Sequence, residues 1–162
     1  MNNQITIYTD GAAKGNPGNG GDGIVLISGN YKKELSGGFQ KTTNNRMELL
    51  AVIVGLEALK YSGCLVTVYS DSQYVVNAIE KGWVFSWERA QFKKKKNPDL
   101  WVRFLKIYRQ HSVKFVWVKG HAGNLFNERC DQLAVLASEQ ANLAEDTYYM
   151  QSIASGGFNS AE

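Results

Sequence analysis

Three short β-branched runs set the architecture: residues 4–10 (Gln-Ile-Thr-Ile-Tyr-Thr-Asp), 65–69 (Leu-Val-Thr-Val-Tyr) and 113–118 (Val-Lys-Phe-Val-Trp-Val). Stretches whose apolar residues recur at helical spacing separate them. Strands joined by helices are most easily parallel, because a tight turn cannot connect parallel neighbours. The first forty residues behave differently. Gly23–Ser28 and Tyr31–Gln40 flank a Gly29-Asn30 turn signal and predict an antiparallel meander. Together these predict an α/β fold, a mixed sheet of meander plus parallel strands flanked by helices. In such open sheets, sites gather at the carboxyl ends of the strands.

The helical segments follow from periodicity. Leu49, Leu50, Val52, Ile53, Leu56 and Leu59 mark a helix from Met47 to Tyr61. Further helices are expected over 72–81, over Leu100–Gln110 behind Pro98-Asp99, and from about Asn127 to about Gln140. Gly11–Gly23 reads as a glycine-dense loop and 82–99 as an irregular aromatic and basic segment. Neither an internal repeat nor a dividing linker is visible, so residues 1–150 read as one domain and 151–162 as a flexible tail.

Composition removes several classes. The chain has 162 residues, 44% hydrophobic and 20% charged, the profile of one globular domain. No apolar run approaches the ~18 residues of a membrane span. No basic-then-apolar leader precedes the domain, and Cys64 and Cys130 make neither a disulfide framework nor a cysteine-rich zinc site. The expectation is a cytoplasmic protein without a membrane, and a monomer by size. Net charge is +3, yet Lys93, Lys94, Lys95 and Lys96 are consecutive, and without them acids outnumber bases. Such a local patch fits a polyanionic partner as well as it fits a solvated loop.

Gly18-Asn-Gly-Gly-Asp-Gly23 satisfies G-x-G-x-x-G, but Ile-Val-Leu-Ile follows it. A dinucleotide site needs a helix there, so the match is a decoy. The acids say more. Asp10 ends the first predicted strand and Asp71 follows the second; Glu48 falls in the first turn of a helix and Asp131 on the last one. Neighbouring strands lie about 4.8 Å apart, so acids at their ends become adjacent. Converging carboxylates repel unless protonated or bound to cations. An all-oxygen donor set suits Mg²⁺ or Mn²⁺, and two such ions about 3.5–4 Å apart can clamp a phosphodiester. Each acid also has a local explanation: a turn at Asp10-Gly11, an N-cap at Asp71-Ser72, a capping box at Asn45-x-x-Glu48, a surface charge at Asp131.

Longer motifs carry a resemblance. Thr9-Asp-Gly11, Gly15-Asn-Pro-Gly18, Thr42-Thr-Asn-Asn-Arg-Met-Glu48, Ser70-Asp-Ser-Gln-Tyr74, Asn97-Pro-Asp-Leu-Trp101, Val118-Lys-Gly-His-Ala-Gly123 and Asn127-Glu-Arg-Cys-Asp131 resemble, in order, those of the ribonuclease H type 1 family, specifically bacterial ribonuclease HI. The resemblance implies a five-stranded ribonuclease H fold. It also implies an endoribonuclease that hydrolyses the RNA strand of RNA–DNA hybrids by two-metal-ion catalysis, leaving 5′-phosphate and 3′-hydroxyl ends. Asp10, Glu48, Asp71 and Asp131 match its metal-binding carboxylates, with two Mg²⁺ or Mn²⁺ ions expected once substrate is bound. His121 matches a histidine that assists proton transfer or product release, a task suited to a pKa near 6.5. Asn16, Asn44, Asn45 and Gln73 resemble contacts to the minor groove and the 2′-OH. Lys41, Thr43 and Asn97 resemble a pocket for a DNA-strand phosphate. Trp83 and Lys93–Lys96 resemble a basic protrusion, the handle (82–99), that grips the hybrid.

With the nucleotide enzyme set aside above, two rivals remain on the residues alone: a related nuclease acting on DNA and a catalytically silent hybrid-binding module. Binding an anionic backbone needs no acidic cluster, which counts against the silent module. Trp101 is expected in the core, and His111 as a charged partner at a helix C-terminus.

Overall fold

The structure is a computed structural model and describes residues 4–120 and 123–155. Six strands form one sheet: β1 (Gln4–Lys14), β2 (Gly18–Ser28), β3 (Tyr31–Thr42), β4 (Leu65–Ser70), β5 (Ser112–Trp117) and β6 (Ala144–Glu145). Their order is β5-β4-β1-β2-β3-β6, antiparallel through β1, β2 and β3 and parallel elsewhere. The sixth strand, two residues at the edge beside β3, is the one beyond the expected five. Helices α1 (Asn44–Glu57), α2 (Gln73–Glu80), α3 (Trp83–Arg89), α4 (Pro98–Tyr108), α5 (Leu125–Ser138) and α6 (Thr147–Ala154) complete the fold.

The glycine-dense stretch is mostly strand, contrary to the loop expected from it. Close packing explains why. A Cβ on Gly21 would stand 2.2 Å from the Ala134 carbonyl oxygen, one on Gly23 2.1 Å from that of Cys130, and one on Gly38 2.2 Å from that of Ala137. Helix α5 therefore lies directly on the sheet backbone. Side chains alternate between faces along a strand, so Gly20 and Asp22 turn to the other face, where α1 packs. There the obstacle is Gly11, whose Cβ would meet the Met47 carbonyl carbon at 2.3 Å.

The main core fills the α1 face. Ile7, Ile24, Leu49, Ile53 and Leu56 are fully buried, and α4 adds Trp101 and Phe104 behind α1. Trp101 thus takes its expected place; its indole N–H donates to the Tyr74 hydroxyl at 3.0 Å.

Segment 82–99 is more regular than its composition indicates. Its first half is helix α3, tied to α4 by the Arg109–Glu88 pair at 2.6 and 2.7 Å. The second half bends through left-handed backbone at Gln91, Phe92, Lys94 and Asn97. Phe92 is buried there while Lys93, Lys94 and Lys95 are exposed. His111 also departs from expectation: its Nδ1 accepts the Cys64 N–H at 3.2 Å, and burial pushes its pKa down. An accepting Nδ1 marks a neutral ring holding a backbone donor, not a charged helix partner. At the chain's end, α6 carries helix to Ala154, past the start of the expected tail at Gln151.

Asp146 caps α6 and binds the fold's most buried cation. Arg46 donates to Asp146 at 2.7 and 2.9 Å and to Asp99 at 2.9 and 2.8 Å. Thr42 donates its hydroxyl to Asp146 at 2.6 Å. Burial alone would favour a neutral Arg46; the two carboxylates more than offset it and raise its pKa.

Candidate metal centre and active site

Parallel pairing of β1 with β4 stops at Tyr8 and Tyr69. Two residues further on, both strands present an acid: Asp10, still paired to β2, and Asp71, immediately after β4. Glu48 reaches the same point from α1. Carboxylate oxygens of Asp10, Glu48 and Asp71 lie within 4.8 Å of one another. Asp131, on α5, lines the adjoining depression with Asp10, Asp71, Gly120, Asn127 and Glu128, outside that tight trio.

The local explanations for these acids give way to others. Helix α1 is capped by Thr43, whose Oγ1 accepts the Arg46 N–H at 3.2 Å, so the capping box at Asn45 does not form. Glu48 is thereby left to accept the Gly11 N–H at 3.1 Å. Helix α2 is capped by Ser72 rather than Asp71, with Val75 N–H as donor at 3.2 Å. Asp71 itself is steadied through its backbone: Trp117 Nε1 donates to its carbonyl at 3.0 Å. The carboxylate passes so close to Gly120 that a Cβ there would stand 2.8 Å from Oδ2.

Crowding shows in the electrostatics. Burial pushes the Asp10 carboxyl up to about 7, and the like charges of Asp71 and Asp131 add to the rise. Glu48 is raised well above the usual carboxylate range by burial first, then by Asp10 and Asp71. Its Oε2 is buried with no hydrogen-bond partner. A buried, unpartnered acceptor beside two other carboxylates is short of a proton or a cation. Hard divalent ions fit this donor set, which is oxygen throughout.

The other expected site residues fall into three groups. Asn16 and Asn44 knit the turn after β1 to the start of α1: Asn16 Oδ1 accepts the Asn44 N–H at 3.1 Å, and Asn44 Oδ1 accepts the Ala13 N–H at 2.7 Å. Asn45 is half-buried beside them, and Gln73 is exposed at the first residue of α2. Lys41 is exposed with φ +43°, whereas Thr43 and Asn97 are buried. Asn97 accepts from Arg46 at 3.2 Å and donates to the Tyr74 hydroxyl at 3.0 Å. Trp83 is exposed, with the Lys81 ammonium 5.2 Å from the centroid of its ring. Lys95 lies 5.0 Å over Trp87. His121 lies outside the described residues. Asn127, Glu128 and Trp117 were missed as site residues; Asn127 is four before Asp131 on one helix, a spacing that puts both on one face.

Acids converging at the carboxyl edge of a mixed sheet fit a metal-dependent hydrolase. Comparison with known proteins narrows the class. The RNase H family model matches residues 2–139. The ribonuclease H of Desulforamulus reducens is 60% identical over 148 residues, covering 88% of this chain and 92% of that protein. That of Rippkaea orientalis is 57% identical over 151 residues, covering 90% and 92%. Among solved structures, LC9-RNase H1, a type 1 RNase H with the type 2 active-site motif, superposes with TM-score 0.76 at 30% identity, covering 85% of this chain and 73% of that one. LC11-RNase H1 in complex with RNA/DNA hybrid gives 0.65 at 30% identity, covering 85% and 98%. The chain belongs to the RNase H family.

Proposed function

We propose that this protein is an endoribonuclease that hydrolyses the RNA strand of RNA–DNA hybrids, leaving 5′-phosphate and 3′-hydroxyl ends. The observation that carries the reading is the trio Asp10, Glu48 and Asp71 within 4.8 Å, at the sheet's carboxyl edge in an RNase H family chain. A relative crystallised with RNA/DNA hybrid supports the substrate class.

Asp10, Glu48, Asp71 and Asp131 would hold Mg²⁺ or Mn²⁺, two ions with substrate bound. Bound there, divalent ions supply charge neutralisation and Lewis-acid polarisation of a phosphodiester. The chain's own part is to preorganise the acids. Gly11 N–H fixes one oxygen of Glu48, Trp117 fixes the Asp71 backbone, and the bare Cα of Gly120 leaves room for the Asp71 carboxylate. His121 would assist proton transfer or product release, the role that the family resemblance implies. Amides at Asn16, Asn44, Asn45 and Gln73 face the minor groove, each able to donate and accept at a 2′-OH. Lys41, Thr43 and Asn97 take a DNA-strand phosphate, and Trp83 with Lys93–Lys96 grips the duplex beyond it. The protein acts as a cytoplasmic monomer; among the described residues no helix is long and apolar enough to cross a membrane.

The test is a panel of hybrid, duplex DNA and duplex RNA, each with Mg²⁺ or Mn²⁺ and with chelator. Cleavage confined to the hybrid and abolished by chelator is expected; equal cleavage of all three refutes the specificity. Asp10→Asn or Asp71→Asn should abolish cleavage while hybrid binding survives.

A further inference from the structure

Two buried side-chain oxygens among the described residues have no hydrogen-bond partner, Glu48 Oε2 and Asn127 Oδ1. The first belongs to the carboxylate trio. The second has no part in the roles assigned so far. Asn127 sits in the first turn of α5, where its main-chain N–H donates to the Asn124 cap at 3.1 Å. Its amide side chain is not the cap. One turn later on the same face comes Asp131, and both residues line the depression shared with Asp10 and Asp71. A buried carbonyl oxygen left unpaired costs about 1–3 kcal/mol, so such atoms are rare without a ligand to meet them.

We propose that Asn127 is a neutral oxygen ligand of the metal centre, contributed from the Asp131 side. The assignment rests on the divalent-cation reading above. Charge explains the choice of amide. Four carboxylates already balance two divalent ions, and a fifth acid would raise the repulsion that burial makes costly. An asparagine carbonyl is a hard oxygen donor of the kind such ions accept, and it adds no charge. Its position in a helix whose neighbouring turns rest on Gly21 and Gly23 keeps it in register with Asp131.

The test is Mn²⁺ titration by calorimetry on the full chain without nucleic acid. Asn127→Ala should weaken binding by about three- to tenfold, the worth of one polar contact. Asn127→Asp, nearly the same shape, should tighten it by adding charge. Melting curves in chelator report whether each variant is folded, and where Asn127→Ala is not, Asn127→Asp decides. Unchanged affinity in both variants, or weaker binding by Asn127→Asp, overturns the assignment. A wild-type chain as silent towards Mn²⁺ as an Asp10→Asn control overturns the cation reading itself, and the assignment with it.

Discussion

The main-chain N–H of Gly11 donates to Glu48 Oε1 at 3.1 Å, joining the residue that follows Asp10 on β1 to a helix residue thirty-seven positions away. One oxygen of the acid is thus fixed by the fold, and the other is left for chemistry. Glu48→Gln keeps an acceptor for Gly11 and removes a buried acid from a crowded site. In chelator this variant should be more stable than the parent by about 1–3 kcal/mol. It should also lose hybrid cleavage and the thermal stabilisation that Mn²⁺ gives the parent. Differential scanning calorimetry with and without Mn²⁺ measures both effects.

Asp22 is buried on the α1 face, and burial raises its carboxyl to about 7, against the weaker opposing influences of Arg103 and the Gly37 N–H. The folded state therefore holds this proton more tightly than the unfolded chain. Its stabilising contribution is complete below the unfolded value of 3.8 and is lost as pH rises through about 7. Asp22→Asn should add about 2–4 kcal/mol at pH 8 and little at pH 4. Urea melts across that range check the slope.

Removing one partner of a buried ion pair strands the other. Asp146→Ala leaves Arg46 with Asp99 as its remaining carboxylate partner and takes the cap from α6. A loss of about 3–5 kcal/mol is expected. Hydrogen exchange should accelerate first at the α6 amides, including Tyr149, whose N–H the Asp146 carboxylate accepts at 3.4 Å.

Gly23→Ala drives a methyl group into the Cys130 carbonyl, 2.1 Å away, and backbone cannot swing aside as a side chain can. We expect about 3 kcal/mol of destabilisation and a fall in hybrid cleavage, since Cys130 adjoins Asp131. Gly55→Ala is the contrast. Its new Cβ meets only the side chains of Ile7 and Ile24, at 3.0 and 3.3 Å, and cleavage should persist.

Replacing Lys93–Lys96 with glutamine tests the basic segment. Bound to hybrid in an Asp10→Asn background, the variant should show a slope of log affinity against log salt flatter by about 2–4. An unchanged slope would remove these lysines from the interface.

Legibility differed from element to element for physical reasons. The runs at 4–10, 65–69 and 113–118 carry their pattern locally, so sheet and crossovers could be read. Gly11–Gly23 could not, because glycine signals a turn and a close approach with the same letter, and only the helix packed above distinguishes them. At Asn45-x-x-Glu48 the local motif is genuine, but Thr43 captured the cap and a strand N–H captured the glutamate. Strand-end logic placed Asp10 and Asp71 together. Asp131 ended at the rim and Asn127 went unassigned, because their placement depends on how α5 lies on the sheet.

Where α5 crosses β2 and β3, peptide planes rest on peptide planes with no interposed atoms to rearrange. Proteins ordinarily absorb sequence drift by swapping rotamers or trading volume between neighbours; that seam has neither resource. The outer surface of the helix can therefore diversify freely, as at exposed Leu136, while its seating behaves as a fixed gauge block against which the reactive groups are machined.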